Sequence, residues 1–159
     1  MKDEFAACVA QQGDDEAIVA ILAEMCAVTN MGFAAVARVT EDRWIAAQVD
    51  DRIEFGLHPG DELEIKKTIC DDIRKSGRAI IIDHIGADPE WRTHPVPAIF
   101  GFESYVSLPV FLSDGSFYGT LCAIDPEPRS LSAYETVAAL QALTDRVSAL
   151  LSRTILQLS

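Results

Sequence analysis

The chain has 159 residues, 49% of them apolar, which is enough for one well-packed core and excludes a disordered segment. Twenty-five Asp and Glu stand against 13 Lys and Arg, a formal net charge of −12. Such a charge is repelled by phosphate backbones and anionic lipid, which argues against nucleic acid and membrane contact. No apolar run approaches the ~18 residues of a membrane span. The start, Met1-Lys2-Asp3-Glu4, has no apolar signal segment, so the expected location is the cytoplasm.

Cys8, Cys26, Cys70 and Cys122 form no CxxC pair, and a reducing compartment disfavours a disulfide framework. His58, His84 and His94 show no short ligand spacing. Phosphate-loop, dinucleotide and nucleophile-elbow motifs are also missing. No catalytic residue and no metal ligand is therefore assigned, and the order of the elements carries the argument.

Residues 1–14 read as a polar lead. From about Asp15 to Met31, apolar residues recur three and four apart (Ile18, Ile21, Leu22, Met25), the pattern of an amphipathic helix with Gly32 as its stop. Two runs, 33–39 and 44–49, flank Thr40-Glu41-Asp42-Arg43 and predict an antiparallel hairpin. Residues 50–63, rich in acids, Gly and Pro, read as a solvated loop. Ile65, Ile69 and Ile73 lie four apart on a short helix that Gly77 ends, and residues 79–82 form a compact β-branched strand. Residues 84–103 hold three prolines and read as an irregular segment of the length common in binding loops. A second hairpin follows, 104–112 and 116–124, turning through Asp114-Gly115; Pro109 demands an unpaired side or a bulge in its strand.

The last element is a long helix over 132–158, opened by the capping box Ser132-Ala133-Tyr134-Glu135. About 26 residues at 1.5 Å each span about 39 Å, more than a small sheet covers. Leu140, Thr144, Val147, Leu151, Thr154 and Leu158 alternate four and three apart, as a coiled-coil seam does. The expectation is a homodimer through the terminal helices, with Leu140, Val147, Leu151 and Leu158 at its interface. The alternative is that these side chains pack on the chain's own sheet. The element order predicts an α+β layer: an antiparallel sheet, terminal helices on one face, and the short helix with the irregular segment on the other, leaving a cavity beneath them.

Three stretches then resemble a known family in order. They are Thr68-Ile69-Cys70-Asp71-Asp72-Ile73-Arg74 with Ser76-Gly77 and Ile81-Ile82-Asp83; His94-Pro95 followed by 101–109; and Asp114-Gly115-Ser116-Phe117-Tyr118-Gly119-Thr120-Leu121-Cys122-Ala123-Ile124-Asp125 followed by Pro126 to Arg129. Together they resemble the GAF domains of bacterial sensor histidine kinases and cyclic-nucleotide-signalling proteins, over residues 15–155 as a single domain. The resemblance implies a GAF-like (profilin-like) fold with a five- or six-stranded antiparallel sheet. It also implies a sensory role, in which a bound molecule or partner alters the domain and a terminal helix carries the change to an output such as a histidine kinase.

Family branches differ at their sites. Bilin-binding members carry a cysteine in or near the covering segment, whereas 90–97 holds none. The Asn-Lys-Phe-Asp-Glu set of cyclic-nucleotide-binding phosphodiesterase domains is missing. Haem-binding members use an axial histidine, for which His84 and His94 are the candidates. Reductases of free methionine sulfoxide cluster cysteines around the pocket, and Cys70 with Cys122 falls short of that pattern. The cofactor, if any, is thus unknown.

Five residues are pocket candidates for an unidentified small molecule. Cys70, near a helix start, is either a reactive thiol or a small buried filler. Trp91 and His94 offer a ring and a titratable imidazole at the pocket mouth, or order a turn. Phe102 and Tyr105 belong to the core or to the pocket wall, with the Tyr105 hydroxyl requiring a partner if buried. Asp125 and Arg129 read as a structural ion pair after the last strand. The alternatives to a ligand sensor are a pure interaction module with a closed pocket and a thiol-dependent reductase.

Overall fold

Alternation along the strands decides the architecture. In Phe33-Ala34-Ala35-Val36-Ala37, residues 34 and 36 join one apolar cluster while 33, 35 and 37 join another on the opposite face. A strand buried on both faces reads as a continuous apolar run, which is how this one appears in the sequence. A computed structural model of the chain describes residues 3–63, 69–93 and 101–156. Among these, strands β1 (Phe33–Val39), β2 (Trp44–Asp51), β3 (Glu62–Leu63), β4 (Ile80–Ile82), β5 (Ser104–Phe111) and β6 (Phe117–Asp125) form one sheet of order β3-β2-β1-β6-β5-β4. Every pairing is antiparallel. The α+β architecture expected from the element order is the observed one.

Helices α1 (Glu4–Gln12), α2 (Glu16–Thr29) and α4 (Tyr134–Leu156) pack on one face. Helix α3 (Cys70–Ser76) lies toward the other, preceded by Ile69, which is buried in the second cluster. The polar lead is itself helical: Asp3 caps α1 by accepting from the Ala6 N–H at 2.9 Å, and Ala6 and Val9 enter the core. Helix α2 starts at the Asp15 cap and ends at Asn30, in the left-handed conformation at φ 58°, two residues before the glycine expected to stop it. Gly77 does end α3, at φ 70°, donating to the Ile73 carbonyl at 2.7 Å.

Both predicted hairpins form. The first turn is held by Thr40, whose hydroxyl accepts from the Arg43 N–H at 3.0 Å. In the second, Asp114 accepts from the Ser116 N–H at 2.9 Å and Gly115 takes φ 88°. Pro109 faces Thr120 of β6, and the β4 pairing stops at Ser107, so its missing N–H leaves no broken ladder bond toward β4. At Gly119 the sheet is too close for any side chain: a Cβ there would lie 1.8 Å from the Ala37 carbonyl oxygen.

The expected dimer seam is taken up inside the chain. Leu140, Val147 and Leu151 are each 0% exposed and belong to the core shared with α2 and the sheet, so no surface of theirs remains for a second chain to cover. Leu158 lies outside the described residues. Nor does α4 outrun its support over the described length. Its far end follows β5 to the hairpin tip, where Ser148 Oγ donates to the Phe111 carbonyl and Ser152 Oγ accepts from the Ser113 N–H at 2.9 Å. The Ser132 hydroxyl, expected to cap α4, donates instead to Asp83 Oδ1 at 2.8 Å.

Candidate functional site

On the sheet face away from the terminal helices, an apolar layer runs from Trp44 and Phe33 across to Cys122, Ile124 and Tyr105. A cleft of about 490 Å³ opens over it, lined by Ile53, Phe55, Leu57, Leu63, Phe102, Ile124 and Pro126, with Glu54 beside them. That volume suits a small organic molecule.

The wall over the cleft is the 50–63 stretch, which the sequence reading treats as a solvated loop. Residues 51–58 instead alternate between half-buried and exposed, so Ile53, Phe55 and Leu57 point inward like residues of a strand. Asp51 holds the wall in place. One carboxylate oxygen accepts from Ile53 N–H at 3.2 Å and Phe55 N–H at 3.0 Å, and the other from Gly56 N–H at 2.8 Å. Partial burial pushes the Asp51 carboxyl up, but the N–H groups of Gly56, Phe55 and Ile53 outweigh it and hold the group below its ordinary value. Phe33 supports Phe55 from below, ring centroids 5.0 Å apart. The period-two spacing of Ile53, Phe55 and Leu57 is the sequence signal that identifies this wall.

Phe102, a predicted pocket residue, lines the cleft. Tyr105 stacks beneath it at 5.4 Å, buried in the layer rather than on the cleft surface. Trp91 is partly buried and packs against the same layer. Cys70 is the first residue of α3, and its side chain lies outside the described atoms, as does all of His94. Cys122 is buried in the layer, Cys26 is buried on the helical face, and Cys8 is exposed on α1. Burial, with the Asp50 carboxylate adding to it, pushes the Cys26 thiol up to about 11. Trp44, 3% exposed, has an indole N–H with no hydrogen-bond partner among the described residues. No group of three or more His, Cys, Asp or Glu that would hold a metal occurs among the described residues.

The three-stretch resemblance is matched by a direct comparison. The GAF domain profile matches residues 15–151. The chain belongs to the GAF domain family. Its solved structural neighbours include the GAF domain of a two-component sensor histidine kinase from Bacillus halodurans, at 13% identity and TM-score 0.69, covering 91% of this chain and 97% of that one. They also include the red/green cyanobacteriochrome NpR6012g4, at 15% identity and TM-score 0.68, with 91% and 97% covered. A third is the type II free methionine-R-sulfoxide reductase from Thermoplasma acidophilum, at 10% identity and TM-score 0.65, with 90% and 94% covered. Identities this low establish the shared GAF fold alone. No curated protein matches the chain. No helix among the described residues is long and apolar enough to cross a membrane.

Proposed function

We propose that this GAF domain is a cytoplasmic, non-catalytic sensory module, in the manner of a histidine kinase input domain. It binds a small, largely apolar molecule in the cleft between the sheet and residues 53–57, and signals through its terminal helices. The cleft carries the proposal: it combines seven apolar or proline wall residues with a rigid floor and a wall fixed by Asp51. A sensor kinase GAF domain among the neighbours supports a signalling output.

A second copy is proposed on the outward faces of α2 and α4. Val19 is 47% and Val28 39% exposed there, beside exposed Ala20, Ala27, Ala142 and Ala149. The Glu24–Arg146 pair, at 2.7 Å, ties the two helices at that surface.

Native mass spectrometry of the chain purified from its source organism, with an absorption spectrum of the same sample, tests the ligand. The expected result is an excess mass lost on denaturation. A bare mass, together with no uptake of the neutral dye Nile red, overturns the ligand and leaves an interaction module with a closed pocket.

A further inference from the structure

The connection between β6 and α4 belongs to no helix or strand; Ser104 Oγ donates to its Glu127 carbonyl at 2.8 Å and its Leu131 is buried in the core. Its alternate backbone N–H groups are all taken by two aspartates: Glu127 N–H by Asp125 Oδ2 at 2.9 Å, Arg129 N–H by the Asp83 carbonyl at 3.0 Å, and Leu131 N–H by Asp83 Oδ1 at 3.1 Å. The Ser132 hydroxyl adds a fourth bond, to the same Asp83 oxygen. Asp83 directly follows β4, and the next residue opens the 84–103 segment. The neck of that segment is closed by Glu103, whose carbonyl accepts from Ile85 N–H at 2.7 Å and whose carboxylate accepts from Gly86 N–H at 3.0 Å. Glu103 in turn donates its N–H to the Asp125 carbonyl at 2.9 Å. Three cleft-lining residues adjoin this network directly: Phe102 precedes Glu103, and Ile124 and Pro126 flank Asp125.

We infer that Asp83 is a positioning residue through which the cleft sets the placement of the first turn of α4. The inference rests on the sensory reading and names its transmission point. A molecule pressing on Phe102 moves Glu103 and the segment neck. That displacement reaches Leu131 and Ser132 because Asp83 bonds both and is joined to the neck by the chain itself. A two-state response needs an element that both ends bias, and the start of α4 meets that requirement.

A hydrogen-exchange cycle on the full chain tests this without any ligand. Asp83→Ala should raise amide exchange across 131–140 by about tenfold, as expected for loss of charge-assisted bonds, while α2 and β6 keep their protection. Asp83→Asn, which retains an acceptor oxygen, should restore most of that protection. Phe102→Leu in the cleft should raise exchange over the same residues by roughly threefold in the wild-type background and by much less once Asp83 is Ala, since coupled sites are not additive and only the main-chain bonds of the network remain. Equal effects of Phe102→Leu in both backgrounds would overturn the inference, because a merely structural Asp83 gives additivity. Unchanged exchange at 131–140 in Asp83→Ala overturns it too. If Asp83→Ala does not fold, Ser132→Ala takes its place and should reduce the Phe102→Leu effect in part, since it removes one of the two bonds to Asp83 Oδ1, and strict additivity there overturns the inference. Because no ligand enters, a bare cleft in mass spectrometry leaves this outcome unaffected, and an additive cycle overturns Asp83 while leaving the ligand standing.

Discussion

Leu151 separates a core helix from a dimer helix. Its side chain is 0% exposed within one chain, packed in the core with α2 and β5, and the adjacent Ser152 bond to Ser113 fixes that end of α4. Truncation to Ala removes the transfer energy of the lost groups and leaves a cavity that cannot fully collapse, about 2–5 kcal/mol. Anchoring of the helix at Ser148 and Ser152 limits relaxation and favours the upper half of that range. Against a domain stability of ~5–15 kcal/mol this is a large fraction. With a mid-range urea slope of about 2 kcal/mol per molar, the midpoint should fall by roughly 2 M. Leu151→Glu places an unpaired carboxylate in the same site and should unfold the chain, whereas Val28→Glu on the outward face should leave the chain folded and turn the proposed dimer monomeric in light scattering. The assay is urea denaturation followed by circular dichroism, with light scattering on the same samples. A Leu151→Glu protein that stays folded at wild-type stability and turns monomeric would refute the packing argument and restore the seam.

Three further outcomes follow from the described contacts. Asp125→Ala should cost about 3–5 kcal/mol in the same denaturation assay, because it strips Gly32 N–H, Glu127 N–H and the Arg129 guanidinium of one buried acceptor; a loss within the ~0–1 kcal/mol of a surface pair would show the site to be solvated. Of Cys8, Cys26 and Cys122, Cys8 alone should react promptly with a thiol reagent near pH 8, read by peptide mass spectrometry, because Cys26 and Cys122 are buried and the Cys26 thiol is pushed up to about 11; prompt labelling of Cys26 would contradict its burial. Asp51 has a depressed folded-state pKa, so its stabilisation is complete above the unfolded value of about 3.9 and is lost as pH falls through the folded one. The stability gap between wild type and Asp51→Asn should therefore shrink from pH 7 to pH 3, and a gap that widens on acidification would reverse the assignment.

Local pattern made much of the fold legible. Helix α2, both hairpins, the short α3 with its Gly77 stop and the long last helix follow from spacing and turn residues that act within a few positions. Phe102 as a cleft residue was also within reach, since an aromatic at the edge of an irregular segment needs a surface to cover. The wall at Ile53, Phe55 and Leu57 was legible only in its alternation, which the surrounding acids and glycines obscure.

What the residues determined alone is the elements other than α1 and β3, their order and the family they resemble. The tertiary structure decided which apolar faces meet. A four-and-three spacing on α4 is the same whether the partner is α2 or a second chain, and only the placement of β5 and α2 buries Leu140, Val147 and Leu151 at home. It also decided what the polar residues do. Ser132 carries a capping sequence, yet its hydroxyl goes to Asp83, 49 residues earlier in the chain, because β4 ends beside the start of α4. Contacts of that separation depend on how the sheet orders its strands, and no short-range pattern encodes them.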